Sequence, residues 1–328
     1  DQPRSPHRRR HRQGEGCSGY RLAGGDGLSV TDTTRTRRAL GGLRPSGALA
    51  GVVPFFAYVS VFLLIPTLVV IIGAFFGPQG FTLGNLKALF EDQGGYPNPF
   101  PAALRKSVLL SVYTALAGAI AGGVLAYAIS TAPPASMVKR FVTSLCGVLA
   151  QFGGVALAFA FMASFGNGGM LADWLAKVGF ELDPTWLYQW DGGLLVVYVF
   201  FQIPLMVIVF LPAVEGLKPQ WREATETLGG TTWTFWRRVA LPILMPSFIG
   251  AFLLLFTNAF SAYATAAVLV SQGSPLVPLM IGSTMSSEVI LGQENVGKAM
   301  ALAMVLVVAV VMVVYAWIDK RASRWLVR

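Results

Sequence analysis

Long apolar stretches alternate with short polar ones over most of this 328-residue chain. Windows without a charged residue cover 45–86, 107–138, 141–172, 192–214, 239–287 and 299–318. Each window holds the roughly 20 apolar residues that a transmembrane helix needs. The pattern predicts six spanning helices, near residues 52–75, 108–130, 141–165, 194–214, 246–268 and 299–318. The polar segment 271–287 contains Gly and Pro, and we expect a loop or re-entrant stretch there.

The composition agrees with a membrane protein. Hydrophobic residues make up 54% of the chain and charged residues 12%, whereas a soluble domain has about 25% charged residues. The basic residues are gathered between apolar segments, which is typical of a membrane protein and argues against a nucleic-acid partner. We therefore predict an all-α integral membrane protein. Residues 1–45 should be a disordered, basic, cytoplasmic tail, because they are rich in Arg, Gly, Ser and Thr, and residues 46–328 a six-span domain.

The polar stretch Leu217–Pro242 has the features of a helix–turn–helix. Pro219 suits the first turn of a helix, and Trp221, Ala224, Thr225 and Leu228 follow at helical spacing on one face. Gly229 and Gly230 end that helix, because glycine adopts the left-handed conformation of a C-terminal cap. Thr231 or Thr232 can cap a second helix that carries Trp233 and Trp236 on one face, and Pro242 and Pro246 punctuate the entry to the next apolar run.

This stretch resembles the signature loop of the membrane subunits, or permeases, of ATP-binding-cassette (ABC) importers. The signature reads Glu-Ala-Ala, three residues, Gly, nine residues, Ile, one residue, Leu-Pro. Its spacing is kept here by Glu223, Ala224, Thr225, Gly229, Val239, Leu241 and Pro242. Thr225 replaces the second alanine and Val239 replaces the isoleucine. The resemblance, which extends loosely from about Val52 to the C-terminus, is to the type I importer permeases.

The resemblance implies a set of partners. Two cytoplasmic ATPase subunits would dock on the loop, a second permease subunit would complete a homodimer or heterodimer, and an external solute-binding protein would deliver the solute. Glu223 would anchor the ATPase, Gly229 would form the turn, and Ala224, Thr225, Leu241 and Pro242 would complete the coupling loop. ATP would bind to the partner subunits, so the chain itself would need no cofactor and would not be an enzyme.

The distribution of basic residues orients the spans. If the N-terminus is cytoplasmic, 20 of the 25 Lys and Arg residues face the cytoplasm, as the positive-inside rule requires. We therefore expect a multi-pass protein of the cell inner (plasma) membrane, with both termini and the loop Leu217–Pro242 cytoplasmic and with membrane lipid around the spans.

The spans lack the groups that other mechanisms need. None of the six predicted helices contains Asp, Glu, Lys, Arg or His, whereas proton-coupled carriers usually place ionisable groups in the membrane. The two His residues lie in the tail, so we predict neither a catalytic group nor a metal site. Gly297 and Lys298 fit the spacing of a phosphate-binding loop. Ala299 replaces the Ser or Thr of that motif, and we interpret the segment as a polar turn.

Polar residues inside the spans are candidates for the solute path. They are Gln151, Gln202, Asn258, Ser261, Tyr263 and Thr265. Asn258, Ser261 and Thr265 share a face by helical spacing, with Tyr263 to one side. The alternative is that these side chains hydrogen-bond neighbouring helices, as polar residues in membranes often do. Gly118, Gly122 and Gly123 indicate close helix packing.

The substrate class follows only from the resemblance. Residues 256–282 are most similar to permeases grouped with spermidine/putrescine, iron(III) and aminoethylphosphonate uptake. We expect a small charged solute such as a polyamine, with an organophosphonate, iron(III) or a sugar as the alternatives. A non-transporting membrane scaffold or receptor is the alternative from another functional class.

Overall fold

The protein is described by a computed structural model that covers residues 45–77, 80–92, 97–133, 136–180, 183–270, 276–286 and 294–326. The predicted disordered tail lies outside these residues, apart from its last one. The α-helices are α1 (Pro45–Val59), α2 (Ile65–Ala74), α3 (Gly84–Lys87), α4 (Pro99–Ser130), α5 (Met137–Gln151), α6 (Gly154–Phe165), α7 (Met170–Lys177), α8 (Gly193–Glu215), α9 (Pro219–Thr227), α10 (Thr232–Phe235), α11 (Leu241–Ser261), α12 (Ala264–Leu269), α13 (Val277–Ser286) and α14 (Glu294–Leu326).

One small sheet departs from the expectation of helices alone. Strands β1 (Phe76–Gly77) and β2 (Gly80–Phe81) pair antiparallel, with Phe76 opposite Phe81. The chain divides into two compact units, Asp1–Val59 and Ser60–Arg328. In the first unit the described element is α1, an apolar helix that contains Pro54.

Among the residues that the structure describes, six helical stretches are long and apolar enough to cross a bilayer, which confirms the predicted number. They are Val52–Ala74, Pro99–Ser130, Gly154–Lys177, Gly193–Glu215, Thr232–Ser261 and Asn295–Trp317. The predicted continuous helix over 141–165 is wrong, because α5 ends at Gln151 and α6 begins at Gly154. Gly154 has a φ of +68°, a left-handed conformation that breaks the helical path and that glycine adopts without strain.

The fifth predicted helix, over 246–268, is also wrong. Helix α11 ends at Ser261, Ala262 has an extended backbone, and α12 begins at Ala264. Beyond it, the predicted loop or re-entrant stretch contains the ten-residue apolar helix α13. Residues 271–275 of that stretch lie outside the described part of the chain.

Two short π-helical turns each lie just before a proline. Ser60–Leu64 precedes Pro66, and Trp236–Ala240 precedes Pro242. A proline has no N–H and its ring clashes with the carbonyl four residues earlier, and a π-helical turn relaxes that register. Pro242 and Pro246 therefore lie inside a helix and do not interrupt it. The stretch Thr232–Ser261 is one helix of 30 residues.

The described core lies in the second unit and forms three clusters. Helices α4, α8 and α11 build the first, α6, α8 and α12 contribute to the second, and α2, α4, α13 and α14 contribute to the third. Close packing of α4 on α8 confirms the interpretation of two glycines. A Cβ atom on Gly122 would lie 2.6 Å from the Ile203 carbonyl oxygen, and one on Gly118 would lie 2.7 Å from Gln202 Cβ. Gly123 is different, because its nearest neighbour would be a ring carbon of Phe248 at 3.5 Å.

Candidate functional site

The turn between α9 and α10 begins with backbone hydrogen bonds that close the end of α9. Pro219 occupies the first turn of α9, as predicted. Gly229 has a φ of +75° and its N–H donates to the Glu226 carbonyl at 3.0 Å, while the Gly230 N–H donates to the Thr225 carbonyl at 2.9 Å. These two bonds form a Schellman cap. The predicted role of Gly229 as the turn residue therefore has a specific geometric basis in its left-handed backbone.

The next helix begins with a reciprocal cap. The Thr231 hydroxyl accepts from the Thr234 N–H at 3.4 Å, and the Thr234 hydroxyl accepts from the Thr231 N–H at 3.4 Å. Such a capping box satisfies two N–H groups that the helix leaves unpaired. Of the two predicted caps, Thr231 is therefore the one used. The predicted short second helix is the first part of the longer helix Thr232–Ser261.

The two sides of the turn differ in exposure. Glu223 and Ala224 are exposed, whereas Thr225 is half-buried and donates its hydroxyl to the Trp221 carbonyl at 2.8 Å. Leu228 is 88% exposed and Trp233 is 73% exposed. Leu228 was expected on the face of Trp221, but it lies after the end of α9 and projects to solvent. The segment from Glu223 to Trp233 thus leaves a carboxylate, an aliphatic and an aromatic side chain exposed.

Phe235 attaches the turn to the rest of the protein. It is 7% exposed, and its ring lies edge-to-face with Trp236 at 6.2 Å. Trp236 in turn contacts the Tyr127 ring of α4 edge-to-face at 4.8 Å. Helical spacing placed Trp233 and Trp236 on one face and did not indicate that Phe235 is buried. The signal for Phe235 was its apolar side chain one position before Trp236, but a short helix gives no means of choosing the buried face.

One ion pair joins helices beside this turn. Lys139 Nζ of α5 lies 2.6 Å from Glu215 Oε1 at the end of α8. The Lys139 side chain is 18% exposed, so water screens this pair less than an open surface pair. By contrast, Arg222 and Glu226 form a pair within α9 at 3.1 Å in which both side chains are more than half exposed.

The two helix breaks meet at a second candidate site. The Thr265 hydroxyl of α12 donates to the Gly154 carbonyl at the start of α6, at 3.2 Å. The Tyr198 hydroxyl of α8 donates to the Ala262 carbonyl, at 2.8 Å. Ala262 lies between α11 and α12, so Tyr198 gives its carbonyl a partner that the interrupted helix does not supply. The Gly154 carbonyl begins α6, and the Thr265 bond is an additional link between the two breaks. Non-helical backbone at membrane depth is found where it is buried in protein or lines a cavity.

The structure separates the predicted solute-path residues into groups. Asn258 and Ser261 line one groove of about 700 Å³ with Thr257 and Tyr315. Thr265 does not share their face, because the helix breaks at Ala262, and it is buried against Gly154. The prediction of one shared face for these three residues is therefore wrong. Tyr263 is half exposed beside Gly282.

The two glutamines occupy opposite environments. Gln151 is exposed at the last position of α5, three residues before Gly154. Gln202 is 0% exposed between α8 and α4, and neither its amide nitrogen nor its amide oxygen has a hydrogen-bond partner. Gln202 does not line the groove of Asn258 and Ser261. The structure therefore brings Gln151 and Thr265 to the helix breaks and leaves Gln202 in the α4–α8 interface.

The segment that fits a phosphate-loop spacing is helical where the structure describes it. Gly297 and Lys298 lie inside α14, and Lys298 Nζ donates to Asn295 Oδ1 at 3.0 Å. A helix directs its N–H groups along its own axis, so it cannot surround a phosphate as a loop does. Gly292 and Gln293 lie outside the described residues. Over those described ranges, no group of three or more His, Cys, Asp or Glu side chains is arranged to hold a metal ion.

Comparison with known proteins matches nearly the whole chain to one family. Residues 41–326 match the family described as "Binding-protein-dependent transport system inner membrane component". Over 169 residues the chain is 29% identical to the sulfate transport system permease protein of Escherichia coli, covering 51% of this chain and 58% of that protein. The chain therefore spans little more than half the length of this relative.

A second relative is matched over most of its length, and a solved structure shares the fold. The spermidine/putrescine transport system permease protein of Haemophilus influenzae is 23% identical over 271 residues, which cover 82% of this chain and 93% of that protein. A chain of the bacterial alginate ABC transporter, solved in complex with an alginate pentasaccharide-bound periplasmic protein, superimposes with a TM-score of 0.70 at 16% identity. This superposition covers 85% of this chain and 95% of that chain.

Proposed function

Since the chain belongs to the family of binding-protein-dependent transport system inner membrane components, we propose that it forms the solute pathway of an ABC importer. In this proposal it acts as a type I permease subunit with no ATPase site of its own. Separate cytoplasmic ATPase subunits hydrolyse ATP, a second permease subunit completes the pathway, and an external binding protein delivers the solute.

One observation carries the proposal. The helix Thr232–Ser261 runs without interruption from the turn after Gly230 to the break at Ala262. At about 1.5 Å per residue, 30 helical residues extend over roughly 45 Å. A displacement of the turn can therefore be passed along one helix, which contains the π-helical turn Trp236–Ala240 and Pro246, to an end that lies at the second candidate site. This connection is what a coupling mechanism between an ATPase and a solute path requires.

The exposed part of the turn is suited to docking a protein. Leu228 and Trp233 are large apolar side chains that remain in solvent in this chain, and Glu223 is exposed next to them in the same short segment. Interfaces combine an apolar anchor, often Trp, with polar groups around it. We propose that Glu223 contacts a basic side chain of the ATPase and that Leu228 and Trp233 enter an apolar groove of that subunit. The turn would then face the cytoplasm, with both termini on the same side.

The solute path in this proposal follows the helix breaks. Gln151 and Thr265 lie at the breaks, and Asn258 and Ser261 line the groove on the same side of α11 as Tyr315. These groups are neutral and hydrogen-bonding, so they do not select for the charge of a solute. We propose that selection belongs to the external binding protein, and that the breaks allow α5 to move independently of α6 and α11 independently of α12.

The substrate we propose is a small charged solute, with a polyamine as the first candidate. The support is the similarity to a spermidine/putrescine permease that covers 93% of that relative. The similarity to a sulfate permease supports an anion as the second candidate. An organophosphonate, iron(III) or a sugar remains a further alternative. An uptake assay with labelled spermidine and, separately, labelled sulfate discriminates the polyamine from the anion, because only the transported solute should accumulate.

The coupling proposal is tested by two variants of the turn. We predict that Glu223→Ala and Gly229→Val abolish ATP-dependent uptake and recovery of the ATPase on co-purification, while both proteins still insert in the membrane. Removing one member of a desolvated charge pair costs about 2–5 kcal/mol of binding. A Cβ added at Gly229 would meet no atom within 4 Å, so we expect the effect of valine to come mainly from the φ of +75°, which a β-branched residue rarely adopts.

Matched controls separate docking from misfolding. Glu226→Ala removes a carboxylate from the same helix, but that carboxylate is paired with Arg222 in an exposed pair and should affect ATPase recovery little. Gly229→Asn should restore uptake, because Asn tolerates the left-handed conformation. Normal uptake and normal ATPase recovery in Glu223→Ala and Gly229→Val would refute the coupling role and favour the scaffold or receptor alternative.

A further inference from the structure

An open apolar cavity lies between α4, α8 and α11, near the end of the spans that carries α9. Its volume is about 430 Å³, and aliphatic and aromatic side chains line it, among them Val124, Phe210, Leu244, Met245 and Phe248. This size lies within the roughly 300–1,000 Å³ of sites that hold a small ligand. Gly123 opens onto this cavity as well, since a Cβ there would approach the Phe248 ring at 3.5 Å.

A polar pocket adjoins this cavity. It has a volume of about 590 Å³ and lies between the ends of α4 and α8, the start of α5, and the helices α9 and α10 on either side of the turn. Three basic side chains line it, Lys139, Lys218 and Arg222, together with one acidic side chain, Glu215. Lys139 is paired with Glu215, and Arg222 with Glu226 on the solvent side of α9. With both pairs counted, the net positive charge at the lining is one, and it comes from Lys218 at the N-cap of α9.

The two cavities share a boundary. Tyr127, Val214 and Trp236 line both of them, and the rings of Tyr127 and Trp236 are packed edge-to-face at 4.8 Å. Aromatic residues of this kind are enriched where the apolar part of a membrane meets its headgroups. The combined site is therefore amphipathic, with an apolar part on the spans and a cationic part beyond an aromatic boundary.

We propose that this combined site binds one anionic phospholipid of the leaflet on the side of α9. An acyl chain lies in the apolar cavity, and the headgroup phosphate lies in the polar pocket near Lys218, Lys139 and Arg222. Basic pockets between membrane helices bind anionic headgroups in this way. The lipid contacts α4, α8 and the α9–α10 turn together, so it would hold the turn against the spans. The inference concerns lipid binding and stands or fails independently of the transport proposal.

The test measures lipids retained by the purified full chain. The protein is reconstituted in nanodiscs of equimolar phosphatidylglycerol and phosphatidylcholine, released into mild detergent and analysed by native mass spectrometry. We expect phosphatidylglycerol to be retained in preference to phosphatidylcholine. A basic residue near the headgroups contributes about 1 kcal/mol, or roughly five-fold. Lys218→Gln should therefore lower that preference by roughly five-fold, and Lys177→Gln, whose side chain does not line the pocket, should leave it unchanged.

A second pair of variants tests the apolar part without changing charge. Gly123→Leu should fill the cavity and reduce the retention of both lipids, whereas Gly147→Leu, where a Cβ meets no atom within 4 Å, should not. Adding inorganic phosphate should leave the lipid bound, because the acyl chain holds it. Equal retention of the two lipids by the unmodified chain, an unchanged lipid count in Gly123→Leu, or displacement of the lipid by inorganic phosphate would each overturn the proposal.

Discussion

The hydroxyl of Tyr198 offers a direct test of how the broken helix α11 is stabilised. Helix α11 ends at Ser261, and the Ala262 carbonyl accepts a hydrogen bond from Tyr198 at 2.8 Å. The Tyr198 side chain is 1% exposed, so water does not replace its hydroxyl. Tyr198→Phe removes one oxygen atom and keeps the ring, and therefore deletes this hydrogen bond while preserving the packing of α8.

Two estimates bracket the free energy of unfolding that Tyr198→Phe should lose. Leaving a buried carbonyl without a partner costs about 1–3 kcal/mol, whereas side-chain hydrogen bonds within membrane proteins contribute about 0.6 kcal/mol on average and about 1.7 kcal/mol at most. Ala262 is half-buried, which limits relief by water, and it lies at a helix break where no backbone donor continues the helix. We therefore expect Tyr198→Phe to lower the free energy of unfolding by about 1–2 kcal/mol.

The measurement is equilibrium unfolding of the purified protein in mixed detergent micelles. The matched control is Tyr113→Phe, because Tyr113 is 52% exposed on α4. This variant should change the free energy of unfolding by less than about 0.5 kcal/mol. If both variants unfold at the same denaturant concentration, the hydrogen bond to Ala262 does not stabilise the break, and the reasoning is refuted.

Two further predictions concern neighbouring glycines and the orientation of the spans. Gly122→Ala should lower the free energy of unfolding by about 1–3 kcal/mol, because its Cβ would meet the Ile203 carbonyl oxygen at 2.6 Å. Gly123→Ala should leave stability unchanged or raise it by up to about 1 kcal/mol through helix propensity, and equal losses in both variants would contradict the packing argument. In a cysteine-free background, Gly179→Cys, which is exposed beyond the end of α7, should react with an impermeant thiol reagent added to intact cells. Gly216→Cys should not react, because the basic-residue asymmetry puts Gly216 in the cytoplasm. Labelling of Gly216→Cys from outside would reverse the assigned orientation.

In the turn around Gly229, the backbone conformation could be predicted from neighbouring residues, but the burial of side chains could not. Pro219 and Gly229 have the predicted roles, and Thr231 is the cap of the two threonines that were predicted as candidates. Proline, glycine and threonine each act through backbone geometry within a few residues. Burial in the same turn was not predictable in this way. Phe235 is buried and Leu228 is exposed. Which of the two is buried depends on contacts with spans that are distant in sequence, and spacing within the turn does not reveal these contacts.

The candidate solute path shows where such reasoning ends. Asn258, Ser261 and Thr265 share a face only if one helix continues through Ala262, and periodicity alone assumes that it does. The break becomes stable because Tyr198, 64 residues away, supplies a donor to the freed carbonyl. Likewise, Gln202 appears in sequence as a polar path residue, and only the approach of α4 at Gly118 encloses it.

The sequence by itself determined the number of apolar spans, the turn at Gly229 and the spacing of the signature residues from Glu223 to Pro242. Each of these depends on residues that are close together along the chain. Tertiary structure alone decided where α5 and α11 break, which polar side chains meet, and how the apolar cavity joins the basic pocket at Tyr127 and Trp236. The physical reason is that leaving a buried polar group without a partner costs free energy, and the partners of the Ala262 and Gly154 carbonyls, Tyr198 and Thr265, lie on helices distant in sequence.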